Sequence, residues 1–151
     1  MTSPLKRYKT PHAGGVFGAV RKYDIHTGID LYCESEDLVY AIEDGIVVNV
    51  CHFTGPKVGS DWWNDTDAIL IEGKSGVILY GELESKVKVG DTIKEGQHIG
   101  NILTVLKVDK GLPMNMLHLE LYKSGYRGDG EIWNLNTTKP YMLLDPNILI
   151  K

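Results

Sequence analysis

Hydrophobic and polar positions in this chain alternate with a period of two, and no segment sustains a helical period. The run Leu117-His118-Leu119-Glu120-Leu121-Tyr122 shows the pattern most clearly. Its three leucines face one way, and His118, Glu120 and Tyr122 face the other. Residues 38–50, LVYAIEDGIVVNV, hold two β-rich pieces around Asp44-Gly45, which predicts a hairpin. Residues 68–83 repeat the arrangement around Lys74-Ser75-Gly76, and Gly90-Asp91 and Glu95-Gly96 then separate short apolar pieces. The prediction is an all-β domain of short strands and tight turns.

Two polar loops interrupt the pattern. Residues 54–67 carry Trp62 and Trp63, and residues 123–140 carry Trp133. Adjacent tryptophans in such a loop either line a groove or cover a core edge, and buried aromatic area favours packing.

Composition narrows the class. A chain of 151 residues suits one domain, with 1–10 as an N-terminal arm, and 42% hydrophobic with 24% charged content is ordinary for a globular protein. The formal net charge of -4 argues against a nucleic-acid partner, which calls for a basic face. No apolar run approaches the ~20 residues of a membrane span. The opening MTSPLKRYKTPHAGG has basic residues but no apolar stretch, so it does not read as a signal peptide; unless trimmed or exported by another route, the chain is expected in the cytoplasm. Cys33 and Cys51 are too few for a disulfide framework, and Cys51, in an apolar run, reads as a buried free thiol.

The candidate chemistry sits in YDIHTGIDLY, residues 23–32, where His26 and Asp30 flank Gly28. One reading is a surface turn with two polar residues; the other is two ligands of one metal ion. Fully extended, residues four apart lie ~13 Å from each other, so a shared ion requires a bend, which Gly28 would permit. His118, on the polar face of its strand, is the best candidate for a third ligand. On spacing alone His-x-x-x-Asp is a weak motif. His12, His52 and His98 have no motif around them. Asp91 sits in a Gly-Asp turn, where a carboxylate usually bonds local backbone, and Glu120 either orients the His118 ring or faces solvent.

Several ordered motifs together resemble the lysostaphin-type (LytM-like) zinc endopeptidases, which cut peptide cross-links in bacterial cell walls. They are Phe17-Gly18, Arg21, His26-Thr27-Gly28-Ile29-Asp30, Tyr40-Ala41 and Asp44-Gly45-Ile46-Val47, then VKVGDTIKEGQHIG, MLHLEL and LLDPNILI. The resemblance covers about residues 11–149. It implies the duplicated-hybrid-motif fold, a two-sheet, sandwich- or barrel-like core of antiparallel strands. It also implies one divalent metal held by His26, Asp30 and His118. Zinc suits two imidazoles and a carboxylate, although Ni, Co or Fe can occupy such a site.

The family's two further histidines fall on Glu82, within Tyr80-Gly81-Glu82-Leu83, and on Met116, so neither is a histidine here. Those imidazoles position the water and stabilise the transition state, and losing an oxyanion donor alone costs ~100- to 1000-fold in rate. Met116 is neither base nor useful donor. Glu82 can serve as a base or reach the metal as a fourth ligand, which would close the site. Tyr80, Trp62 and Trp63 are expected near the cleft.

Three readings follow. The first is a zinc hydrolase of the cell-wall type with weak or altered chemistry, acting on peptidoglycan or a peptide. The second is a non-catalytic zinc-stabilised module binding peptide, glycan or a protein partner. The third is a carrier domain, because VKVGDTIKEGQHIG also resembles a lipoyl or biotinyl hairpin with Lys110 as the modified residue; it explains neither His26, Asp30 and His118 nor the chain length.

Overall fold

The computed structural model describes residues 1–9, 15–109, 111 and 114–150. As the alternation predicts, regular structure is antiparallel strand, with only two short 3-10 turns, Pro56–Val58 and Pro146–Leu149, among the described residues. The central strands are β4 (Gly45–Thr54), β5 (Thr66–Gly73) and β6 (Gly76–Ser85). β5 and β6 make the hairpin expected around Lys74-Ser75-Gly76, with Gly73 opposite Gly76. Gly76 takes a φ of 125°, and a Cβ there would lie 2.3 Å from the Tyr122 carbonyl oxygen, so only glycine closes this turn.

On the far side of β6 runs β9 (Met116–Tyr122), which also pairs with β2 (Ile29–Tyr32) and β11 (Leu143–Leu144). The hairpin expected around Asp44-Gly45 does not form. β3 (Leu38–Tyr40) pairs instead with β8 (His98–Ile102), while β4 pairs with β5 and with β7 (Thr92–Ile93). Asp44 is used differently: its Oδ1 accepts from the Glu95 backbone N–H at 2.7 Å, tying two turns together. The segment containing β7 and β8 therefore makes no hairpin of its own, which leaves the carrier reading without its structural unit. Lys110, like His12, lies outside the described residues.

The expected two layers are joined by a branch in β6. Residues 77–81 of this strand pair with β9, whereas residues 83–85 pair with β8. Glu82 stands at the junction with φ 67°, a left-handed conformation that L side chains rarely adopt, and the register with β5 shifts beside it. A small separate pair, β1 (Asp24–Ile25) with β10 (Trp133–Asn134), sits before His26.

The core fills the space enclosed by the branch. Ile29, Leu31, Leu117, Leu119, Leu121, Ile78 and Tyr80 pack there against Val39, Ile93, Ile99 and Ile102. A smaller apolar cluster, including Leu70, Leu79, Tyr122 and Tyr126, covers part of the other face. His118, Glu120 and Tyr122 are consequently buried as well, so β9 is buried on both faces. Both cysteines are free, and Cys51 is half-buried at the edge of the smaller cluster rather than fully enclosed. The N-terminal arm docks on the sheet edge, where Leu5 bridges Val39 and the Lys9 N–H donates to the Tyr32 carbonyl at 2.9 Å.

Candidate metal centre

Asp30 on β2 lies directly across from His118 on β9, and their side chains emerge on the face opposite the leucine core. His26 reaches the same point from the turn between β1 and β2. His26 Nε2 is 3.3 Å from His118 Nδ1 and 3.4 Å from Asp30 Oδ1, and the Asp30 Oδ1 to His118 Nδ1 separation is 2.9 Å. The bend required between His26 and Asp30 is present. Gly28 serves it by close approach rather than by a positive φ: a Cβ there would lie 2.2 Å from the Leu119 carbonyl oxygen and 2.9 Å from His118 Nε2.

The outer atoms of these side chains are also fixed. His26 Nδ1 is 3.0 Å from the Val16 carbonyl oxygen, which can only accept; Nδ1 therefore carries the proton and Nε2 offers its lone pair to the site. Arg21 Nη2 bonds Asp30 Oδ2 at 3.2 Å, which leaves Oδ1 directed inward. His118 Nε2 is 2.7 Å from Glu120 Oε2. Glu120 in turn accepts from Thr27 Oγ1 at 2.7 Å and from the Tyr122 hydroxyl, and that hydroxyl accepts from the Glu131 N–H at 2.9 Å. Glu120 thus faces His118 and not solvent, and Gly130 lies against its Oε1 from outside. Phe53, which no motif singled out, lies with its ring centroid 5.3 Å from that of His118.

Charge follows from this packing. Burial works against ionisation of Asp30, but the hydrogen bond from His118 and that group's charge outweigh it and hold its carboxyl well below the usual range. Burial likewise favours neutral His118, yet bonding to Asp30 and Glu120 and their charges hold its pKa well above normal.

Glu82 is the exception. Burial pushes its carboxyl up to about 8, with the Asp30 charge adding to the rise, and its Oε2 is buried with no hydrogen-bond partner among the described residues. Such an orphaned polar atom is uncommon in folded proteins.

The donor set fits a zinc ion. Ligands at ~2.0–2.1 Å in a tetrahedron stand about 3.4 Å from one another; two of the three separations, 3.3 and 3.4 Å, match this, and the third, the 2.9 Å hydrogen bond between Asp30 and His118, would open by about 0.5 Å around an ion. Among the described residues, His26, Asp30 and His118 form the one group whose ligand atoms all lie within 4.8 Å of one another. Glu82 and Glu120 are outside it.

Of the other residues singled out by sequence, Met116 pairs with Tyr32 in register, one step along the metal face from the His118–Asp30 pair. Tyr80 does not line the site: it points into the main core, and its hydroxyl oxygen accepts from the Ile42 N–H at 3.0 Å. Alternation explains this, since the neighbouring Gly81 is the residue opposite His118. Trp62 is 64% exposed and stands edge-on to Trp63, which bridges Leu106. Trp133 belongs to β10 and packs its ring on Phe17. His52 bonds Asp67, His98 bonds Gly100 and Asn101, and Asp91 caps its own turn through the Lys88 N–H.

Solved structures share this arrangement of strands. The catalytic domain of the antimicrobial peptidase lysostaphin from Staphylococcus simulans aligns with a TM-score of 0.60 at 22% identity, covering 95% of this chain and 93% of that one. A point-mutant catalytic domain of EnpA, a prophage-encoded M23 protein from Enterococcus faecalis, gives 0.56 at 24% identity, with 85% and 95% covered. A putative peptidase M23 from Pseudomonas aeruginosa gives 0.52 at 15% identity, covering 97% of this chain and 52% of that one. No curated protein matches the sequence. The family model of Peptidase family M23 matches residues 24–130, from the strand that leads into His26 to the loop that covers Glu120. With all three convergent side chains inside that span, the chain is a member of peptidase family M23.

Proposed function

We propose that this chain is a zinc-binding, cell-wall metallopeptidase-like domain whose hydrolysis of peptidoglycan cross-bridge peptides is weak or absent. The observation that carries the reading is the convergence of His26 Nε2, Asp30 Oδ1 and His118 Nδ1, which lie 2.9–3.4 Å from one another. Zinc held by these three side chains would lower the pKa of a bound water to ~7 and polarise a carbonyl. The protein side holds the three ligands in place: Val16 fixes the His26 tautomer, Arg21 orients Asp30 and Glu120 orients His118.

Proton handling is where the chain departs from its family. Glu82 stands where the resemblance places an imidazole, but with its carboxyl pushed up to about 8 by burial it mostly holds its own proton near neutral pH and acts as a base only where it ionises. Met116 stands at the other such position and has no proton to give, so developing negative charge there goes without a donor. That thioether also supports a second reading, in which the domain binds peptide, glycan or a protein partner without cleaving it.

The test begins with metal content. The purified protein should carry one zinc per chain, and His26→Ala, Asp30→Ala and His118→Ala should each abolish tight binding; full occupancy in all three would refute the ligand set. Cleavage of peptidoglycan and glycine-rich peptides should be slight in the wild type and measurable in the double variant Glu82→His with Met116→His. Strong wild-type cleavage that disappears in Glu82→Gln but survives Met116→Ala would overturn the weak-hydrolysis reading and make Glu82 an effective base.

A further inference from the structure

We propose that Glu82 is a fourth protein ligand of the metal, whose carboxylate closes the site formed by His26, Asp30 and His118 and keeps water off the ion. The inference rests on the zinc-binding reading and deepens it. A zinc site with four protein ligands is structural, whereas one with three keeps a position for water or substrate.

Strand register aims the side chain. Along β6, Tyr80 and Leu83 both pack in the main core although they are three residues apart. Strict alternation would put them on opposite faces. The pairing with β5 accounts for the difference: Ala68 stands opposite Gly81 and Asp67 opposite Leu83, so Glu82 is the extra residue of a bulge. Gly81 and Glu82 are therefore both left to the face turned away from the main core, and Gly81 is the residue across from His118. After burial, the charges of Asp30 and His118 act most strongly on the Glu82 carboxyl.

The placement is costly unless something engages the carboxylate. Glu82 holds φ at 67°, and its buried Oε2 has no hydrogen-bond partner among the described residues. Backbone strain of this kind collects at functional sites. The other two acids here are occupied: Asp30 by His118 and Arg21, and Glu120 by His118, Thr27 and Tyr122. Glu82 lies outside the group whose ligand atoms stand within 4.8 Å of one another, so it must turn inward to bind. Its Oε2 gives up no hydrogen bond in doing so.

Charge balance favours the same arrangement. A divalent cation enters a site whose ligands are buried, where uncompensated charge is expensive. Arg21 and Glu120 offset one another, and Asp30 supplies one negative charge. Glu82 supplies the second, since a carboxylate beside a divalent cation stays ionised despite burial. With the fourth position taken by the protein, a substrate carbonyl gains the ion only by displacing Glu82, which accounts for weak or absent hydrolysis.

The experiment follows metal binding rather than turnover, in the full chain. By chelator competition, zinc affinity should fall about tenfold or more in Glu82→Gln and in Glu82→Gly, since even partners one step removed from a metal are worth ~10- to 100-fold. Metal-free Glu82→Gly should nevertheless be at least as stable in urea as the wild type. Stability and metal affinity then move in opposite directions, which a merely structural role does not produce. Cobalt-loaded wild type should keep its visible spectrum when azide is added, whereas that of cobalt-loaded Glu82→Gln should change as azide takes the released position. Unchanged zinc affinity in both variants, an azide-sensitive wild type, an azide-insensitive Glu82→Gln, or lower metal-free stability of Glu82→Gly would each overturn the proposal. Failure of the underlying reading looks different: His26→Ala, Asp30→Ala and His118→Ala would all retain zinc. If those three lose zinc while Glu82→Gln keeps it, only the fourth ligand is refuted.

Discussion

At the scale of single residues, the candidate metal site depends on groups one step removed from His26, Asp30 and His118. Glu120 takes His118 Nε2, the Thr27 hydroxyl and the Tyr122 hydroxyl on its two oxygens, so its negative charge is directed at donors on three sides. Glu120→Gln places an amide where those donors need an acceptor. Zinc affinity should fall about 10- to 100-fold, measured by chelator competition, while the fold persists; an unchanged affinity would make Glu120 a bystander. Gly28 is decided by space. The Cβ of Gly28→Ala would meet the Leu119 carbonyl oxygen at 2.2 Å and His118 Nε2 at 2.9 Å, and the backbone oxygen cannot swing aside. Denaturant titration should register a loss of roughly 1–3 kcal/mol, and zinc binding should weaken with it because His118 is displaced. The three candidate donor side chains, His26, Asp30 and His118, were legible from residue type and motif. Thr27, Val16 and Phe53 were not, because a hydroxyl, a carbonyl and an apolar ring carry no spacing signature.

Among the elements, β6 organises the molecule. Its first half belongs to β9 and its second to β8, and Glu82 at the change of partner adopts φ 67° with a buried, unpartnered oxygen. A left-handed non-glycine residue costs about 1–2 kcal/mol, and an unpaired buried polar group adds to that cost. Glu82→Gly should therefore stabilise the metal-free protein by about 1 kcal/mol or more in urea unfolding. A loss of stability would mean that the carboxyl is anchored after all. The same strand shows which turns a sequence reveals. Lys74-Ser75-Gly76 was readable because both strands it joins are its neighbours. Asp44-Gly45 carried an equally good turn signal, but β3 finds its partner in β8, far along the chain, and no local signal encodes that choice.

Over the whole molecule, the leucine face of β9 and its neighbours fills the space inside the branch, while the opposite face carries the His26–Asp30–His118 cluster. Tyr80 lies on the core side, its hydroxyl oxygen accepting from the Ile42 N–H at 3.0 Å and joining β6 to the chain between β3 and β4. Tyr80→Phe should lower stability by roughly 1–3 kcal/mol, by orphaning that buried N–H, and leave zinc affinity unchanged. A drop in zinc affinity at intact stability would return Tyr80 to the cleft. The sequence by itself determined the alternation, hence an all-β chain; it supplied the three donor side chains, and it placed a carboxylate and a thioether where the family resemblance expects imidazoles. These are properties of residue type and short spacing. Only the tertiary structure decided that Gly28 serves by close approach, that Tyr80 faces inward and that Glu82 occupies a strained junction. Each depends on strand register, and register brings His26 to His118 across 92 residues of chain through packing contacts that no local pattern records.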